Sequence, residues 1–121
     1  MVGRLGTCAD ILISESVLGK ILEAVDSMLI EADRAGVLLG GEALEDDNGY
    51  YFFVNSVTND GPIGICVASS EGGTEPTDED LALFKGKMSK GIMMKADVYA
   101  HQFSFYKISE TVEDATVLIQ E

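Results

Sequence analysis

The chain carries one long run of helical period, and outside it only apolar stretches too short to be helices of their own. After Ser14, the residues Val17, Leu18, Ile21, Leu22, Val25, Met28 and Leu29 recur every three or four positions. Glu15, Lys20, Glu23, Asp26 and Ser27 fall mostly on the opposite face. Ser14 is a good N-cap residue and Glu15 suits the positive end of a helix dipole. The pattern predicts a helix from roughly Glu15 to Glu31.

A single amphipathic helix can bury its stripe only against another layer. The short runs supply one. Ile11-Leu12-Ile13 reads as a strand, and Ala35 to Gly41 as a strand covered on both faces. Tyr50 to Val57 is aromatic and β-branched, with Tyr50-Tyr51-Phe52-Phe53 suited to a central strand, and Ile63 to Ala68 gives another. Glu42 to Gly49 holds four acids and ends in Asn48-Gly49, which predicts a turn, as does Asn59-Asp60-Gly61-Pro62. After the polar loop Ser69 to Pro76, Thr77-Asp78-Glu79-Asp80 opens a second helix, with Leu81, Leu83 and Phe84 apolar and Lys85, Lys87 and Lys90 near its far end. Strands follow at Ile92 to Tyr99, Gln102 to Ile108 and Thr116 to Gln120, with Glu110 to Asp114 as the last turn. The order β-α-β-β-β-α-β-β-β is that of an α/β domain on a mixed sheet, without repeat or linker.

Composition narrows the function. A chain of 121 residues fits one domain, and 46% hydrophobic residues build a core without metal or disulfide staples. Eight Lys and Arg against 21 Asp and Glu give 8 − 21 = −13, which argues against nucleic-acid backbones and anionic membranes. Cys8 and Cys66 lack the spacing of redox or zinc sites and read as reduced thiols of a cytosolic protein. No ~7–15-residue apolar stretch precedes Leu5-Gly6-Thr7-Cys8, and no run approaches the ~18–20 residues of a membrane span. The expectation is a soluble, cytoplasmic protein. Its one histidine excludes any site needing two from the same chain.

From Ser14 onward, over about 105 residues, the sequence resembles the JAB/MPN domain, the JAMM metalloprotease fold. The resemblance rests on Ile13 and Ser14 leading into the first helix with Leu18, Ile21 and Leu22 in it, on Leu38-Leu39-x-Gly41, and on a later strand opening at Gly64. It continues in Glu75-Pro76-Thr77-Asp78-Glu79-Asp80-Leu81-x-Leu83-Phe84 and the strand with Phe105-Tyr106-Lys107. It implies an MPN/cytidine-deaminase-like α/β fold, with a mixed central sheet flanked by two main helices, over residues 11–121. Residues 1–10 are left as an N-terminal arm or edge strand.

In catalytic members of that family the signature is a Glu, then His-x-His, seven residues, Ser, two residues and Asp. Two imidazoles and a carboxylate hold zinc, whose bound water gives its proton to the Glu while the Ser stabilises the oxyanion. Carried over, Ser and Asp fall on Thr77 and Asp80, the histidines on Val67 and Ser69, and the Glu on or beside Arg34. A shift of one residue gives Ala68 and Ser70, which is no better. Only Asp80 of the three ligands survives, and His101 lies beyond the motif. The resemblance therefore implies no zinc, no other cofactor and no isopeptidase activity.

The same residues have plainer structural readings. Thr77-x-x-Asp80 is a capping box. His101 reads as an exposed turn residue, and Cys66 as a small buried hydrophobe. Gly72-Gly73 precedes an acidic helix start and reads as a flexible loop. Lys85, Lys87, Lys90 and Lys95 form a basic group, either a solvated helix end or a contact surface for an acidic partner or a second copy; Met88, Met93 and Met94 beside it read as core.

Two functions remain. The first is a catalytically inactive MPN-like domain used for protein–protein interaction, as a homodimer or with ubiquitin-like systems, since inactive relatives serve as scaffolds or dimer partners. The second is a small-ligand or anion-binding domain, or an altered enzyme, with a pocket rebuilt from Arg34, Cys66, Ser69, Ser70, Thr77 and Asp80.

Overall fold

The computed structural model describes residues 10–46, 49–58 and 62–120. The sequence readings of residues 1–9, of Asn48 and of Asn59-Asp60-Gly61 lie outside the described residues. Strand β1 (Ile11–Ser14) runs directly into helix α1 (Glu15–Leu29). The Ser14 hydroxyl accepts from the Val17 amide at 3.2 Å, so the residue that ends the strand also caps the helix. Leu18, Ile21 and Val25 form the buried stripe. The helix stops at Leu29, two residues short of the expected end, where the Ile30 and Glu31 amides close onto the carbonyls of Ser27 and Met28.

Seven more strands complete the sheet: β2 (Arg34–Asp46), β3 (Gly49–Val57), β4 (Gly64–Ser69), β5 (Gly91–Asp97), β6 (Gln102–Ile108), β7 (Val112–Ala115) and β8 (Val117–Gln120). Helix α2 (Asp78–Lys85) crosses between the parallel neighbours β4 and β5. The order across the sheet is β7-β6-β5-β4-β2-β3-β1-β8, with β1 parallel to both β3 and β8, β4 parallel to β5, and the other pairings antiparallel. The mixed sheet with two helices is as expected. Two local readings are corrected. Glu42 to Asp46 is strand rather than turn, because β3 pairs along it. Val112–Ala115, which overlaps the expected last turn from Glu110 to Asp114, is an edge strand paired with β6.

Only Thr116 separates β7, at one end of the strand order, from β8, at the other. The sheet must therefore curl until its ends approach. The amides of Asp10 and Ile11 both donate to the Thr116 carbonyl, and the Asp10 carboxylate reaches Lys107 on β6 at 3.2 Å. At the bend in β2 the register with β3 shifts between Gly40 and Gly41, and a β-carbon on Gly41 would collide with the Phe53 carbonyl.

The curled sheet has an apolar layer on each face. Toward α1 lie Ile11, Ile13, Ala35, Val37, Leu39, Val54, Cys66, Ala68, Ile92, Met94 and Ala96. Toward α2 lie Ile65, Val67, Met93, Tyr106 and Ile108 around Phe84. Strand β4 is buried along its whole length, which is why its sequence is apolar without alternation. Among the described residues, no helix is long and apolar enough to cross a membrane.

Candidate functional site

The site lies where the first turn of α2 meets the sheet. Thr77 caps the helix, and the capping box is complete: the Asp80 amide donates to the Thr77 hydroxyl at 3.2 Å, and the Thr77 amide donates to Asp80 Oδ2 at 2.9 Å. The box turns the Asp80 carboxylate inward, and Asp80 is fully buried.

Two cations meet it there. Lys95, also fully buried, donates from Nζ to Asp80 Oδ2, and Arg34 donates from Nη1 to Oδ1. Arg34 Nη2 extends outward to Glu79 at 3.2 Å. Burial alone would raise the Asp80 carboxyl, but the bonds from Lys95 and the Thr77 backbone, with the charges of Lys95 and Arg34, hold it below its ordinary value. The fully buried charges of Lys95 and Asp80 cancel, while partly exposed Arg34 is matched outward by exposed Glu79.

Strand register fixes the rest of this face. Arg34 on β2 lies opposite Ser69 on β4, while Val67 lies between Gly36 on β2 and Lys95 on β5. Val67 is fully buried among apolar neighbours and Ser69 is nearly so. The structure thus joins Arg34, Val67, Ser69, Thr77 and Asp80 at one place. Two assigned residues do not join them. Cys66 alternates to the α1 face, where burial pushes its thiol up to about 12. Ser70 is exposed beyond β4, its amide on the Asp33 carbonyl.

Lys95 is the member sequence reading missed, having grouped it with Lys85, Lys87 and Lys90. Those three are exposed, whereas Lys95 points under α2. A lysine inside the apolar run Ile92-Met93-Met94-Lys95-Ala96 was the available signal, since such a residue needs a buried partner.

The loop before α2 is tied from both ends. Tyr106 donates its hydroxyl to the Thr74 carbonyl at 2.5 Å, and the Asp97 carboxylate accepts from the amides of Gly73, Tyr99 and Ala100. Gly73 sits at φ +94°, a conformation that glycine adopts without strain. The adjacent exposed turn contains His101.

No protein-family model and no curated protein matches the sequence. Solved structures do match in shape. A Desulfitobacterium hafniense protein determined in solution superposes with a TM-score of 0.68 at 14% identity, covering 92% of this chain and 93% of that one. A structure described as a metalloprotease-like zinc site in the proteasome and signalosome gives 0.58 at 21% identity, covering 89% and 97%. A JAB1/MPN domain protein from Archaeoglobus fulgidus gives 0.58 at 21%, covering 90% and 98%. The chain has a JAB/MPN-like fold.

In this JAB/MPN-like domain, the residues that the sequence resemblance assigns to a zinc centre do not suit that ion. Valine and serine offer no imidazole, both Asp80 oxygens accept bonds from cations, and two positive charges already face the carboxylate. Among the described residues, no three His, Cys, Asp or Glu side chains are grouped to hold a metal.

Proposed function

We propose that this chain is a non-hydrolytic JAB/MPN-like domain of the MPN/cytidine-deaminase-like class that works by binding other proteins. The observation that carries the reading is the engagement of Asp80, with Lys95 on one carboxylate oxygen and Arg34 on the other. A fixed ammonium takes the electrostatic role that a divalent ion would otherwise have. Ammonium cannot activate water as a Lewis acid, and guanidinium cannot serve as a general base. What remains is a rigid cross-link between α2, β2 and β5, suited to presenting a surface.

A pocket rebuilt from Arg34, Cys66, Ser69, Ser70, Thr77 and Asp80 draws less support. Both terminal nitrogens of Arg34 are engaged by carboxylates, Asp80 is sealed, and Cys66 lies across the sheet.

The test combines metal analysis of the purified full chain with a peptidase assay on ubiquitin-like fusions. The expected result is no stoichiometric zinc and no cleavage, together with a stable protein partner recovered from the native host by pull-down. One zinc per chain with cleavage overturns the proposal.

A further inference from the structure

Beside the ion cluster, one length of sheet edge is open. Strand β3 pairs with β2 only from Leu39 to Asp46, so Arg34–Leu38 has β4 on one side and, among the described residues, no strand on the other. Known bonds set which backbone groups face which way. The Asp33 and Leu39 carbonyls accept from Ser70 and Ile63 on the β4 side, and the Leu38 carbonyl accepts from Thr58 on the β3 side. Residues two apart point alike, so the N–H and C=O of Gly36 face the open side, without a backbone partner among the described residues.

A cavity of about 630 Å³ straddles this edge. Met28 and Val37 line it toward α1, Leu83 and Lys87 toward α2, and Val57 closes one end. Met28 and Val57 are 42% and 46% exposed, so apolar surface flanks unpaired backbone. An edge of this kind has no proline, and its one charged residue, Arg34, is held by Asp80 and Glu79 on α2, so it can accept another strand. An extended backbone is what satisfies a facing N–H and C=O while sending alternate side chains to the two sides.

Charge selects the kind of strand. Lys87 lines the cavity, whereas Lys85 and Lys90 line a separate hollow beside Ser109, and none of the three pairs with a carboxylate among the described residues. Lys85 instead donates to the carbonyls of Ser89 and Ser109. A second copy docking edge to edge would set Lys87 against Lys87 and join two chains of net charge −13.

We propose that the Arg34–Leu38 edge receives an extended acidic segment of a partner protein as an added strand. The segment pairs its backbone with Gly36, places an apolar side chain between Met28, Val57 and Leu83, and sets a carboxylate on Lys87. The proposal stands whether or not the ion cluster admits a metal, so its failure is separable from that of the non-hydrolytic reading.

The experiment titrates the ¹⁵N-labelled full chain with an end-blocked octapeptide alternating Glu and Val. Its controls are a Lys-Val counterpart and a fully N-methylated Glu-Val peptide. The Gly36 amide should shift and its hydrogen exchange slow about tenfold, while the methylated peptide leaves it unchanged. Exposed Lys87 lies outside the ion cluster, and K87E should weaken binding about fivefold without altering the fold. An unmoved Gly36 at millimolar peptide overturns the proposal, as does equal binding of the Lys-Val or methylated peptide. Concentration-dependent dimerisation that protects Gly36 without peptide assigns the edge to a second copy and also overturns it.

Discussion

Lys95 and Asp80 form an ion pair in which neither side chain is exposed. The two residues belong to successive elements, α2 and β5, and meet because α2 lies across the face of β4 and β5. Burying both charges costs hydration, so the pair is worth little beside a well-packed apolar pair, but an unmatched half is expensive. K95M should destabilise the chain by about 3 kcal/mol, toward the low end because Arg34 and Thr77 still hold the carboxylate. Adding D80N should recover more than half of that loss. A double-mutant cycle by urea unfolding checks both values; additive losses would mean that the pair is not coupled.

The depressed acidity of Asp80 makes stability depend on pH in a defined sense. Its folded value lies below its ordinary value of 3.8, so the carboxylate's contribution is present above 3.8 and is lost as pH falls through the folded value. Asp97, held by the Gly73 and Ala100 amides, shifts the same way. So does Asp10, where Thr116 and Lys107 outweigh the upward pull of burial. The difference between wild type and D80N isolates Asp80. It should be constant between pH 5 and 7 and shrink below about pH 4, as read from urea midpoints.

Local signals were legible in the sequence, and long-range pairings were not. Helix α1 could be read because its cap and buried stripe lie within fifteen residues. The capping box was equally local. By contrast, β7 has the sequence Val112-Glu113-Asp114-Ala115 and is largely exposed, so no alternation marks it and pairing with β6 alone defines it. The extension of β2 through Glu42–Asp46 likewise follows from β3 rather than from its own residues. At the site, the resemblance named Arg34 and Asp80, but only the fold shows that they meet across 46 positions, and nothing in the spacing of the lysines separated buried Lys95 from its exposed neighbours.

Thr77 and Phe84 anchor α2 by different means, and their variants should differ in size. T77A removes the cap from a helix of eight residues and should cost about 1 kcal/mol. F84A empties the centre of the apolar layer under α2, where Phe84 is fully buried, and should cost about 3–5 kcal/mol. Denaturant unfolding orders the two. Equal losses would mean that α2 is held chiefly by its end rather than by its packing.

Cys66 should be silent to thiol reagents in the native state. It has no exposed surface, and burial places its thiol at about 12, so thiolate is scarce at pH 8. In a C8S variant Cys66 is the one remaining thiol. Its reaction with a disulfide reagent should appear only as denaturant unfolds the chain, with the same midpoint as circular dichroism. Rapid labelling without denaturant would contradict the placement of Cys66 against α1.

The ion cluster also predicts what is needed to install a metal. Histidines at Val67 and Ser69 restore two nitrogen donors, but Lys95 and Arg34 still occupy the Asp80 carboxylate and repel a divalent cation. V67H/S69H should therefore fail to bind cobalt stoichiometrically. The quadruple variant V67H/S69H/R34E/K95A removes both cations and should develop the visible absorption of tetrahedral cobalt. Circular dichroism of each variant establishes that the fold is kept. If the histidine pair alone binds cobalt, the cations do not guard the carboxylate, and the electrostatic argument for a non-hydrolytic site fails.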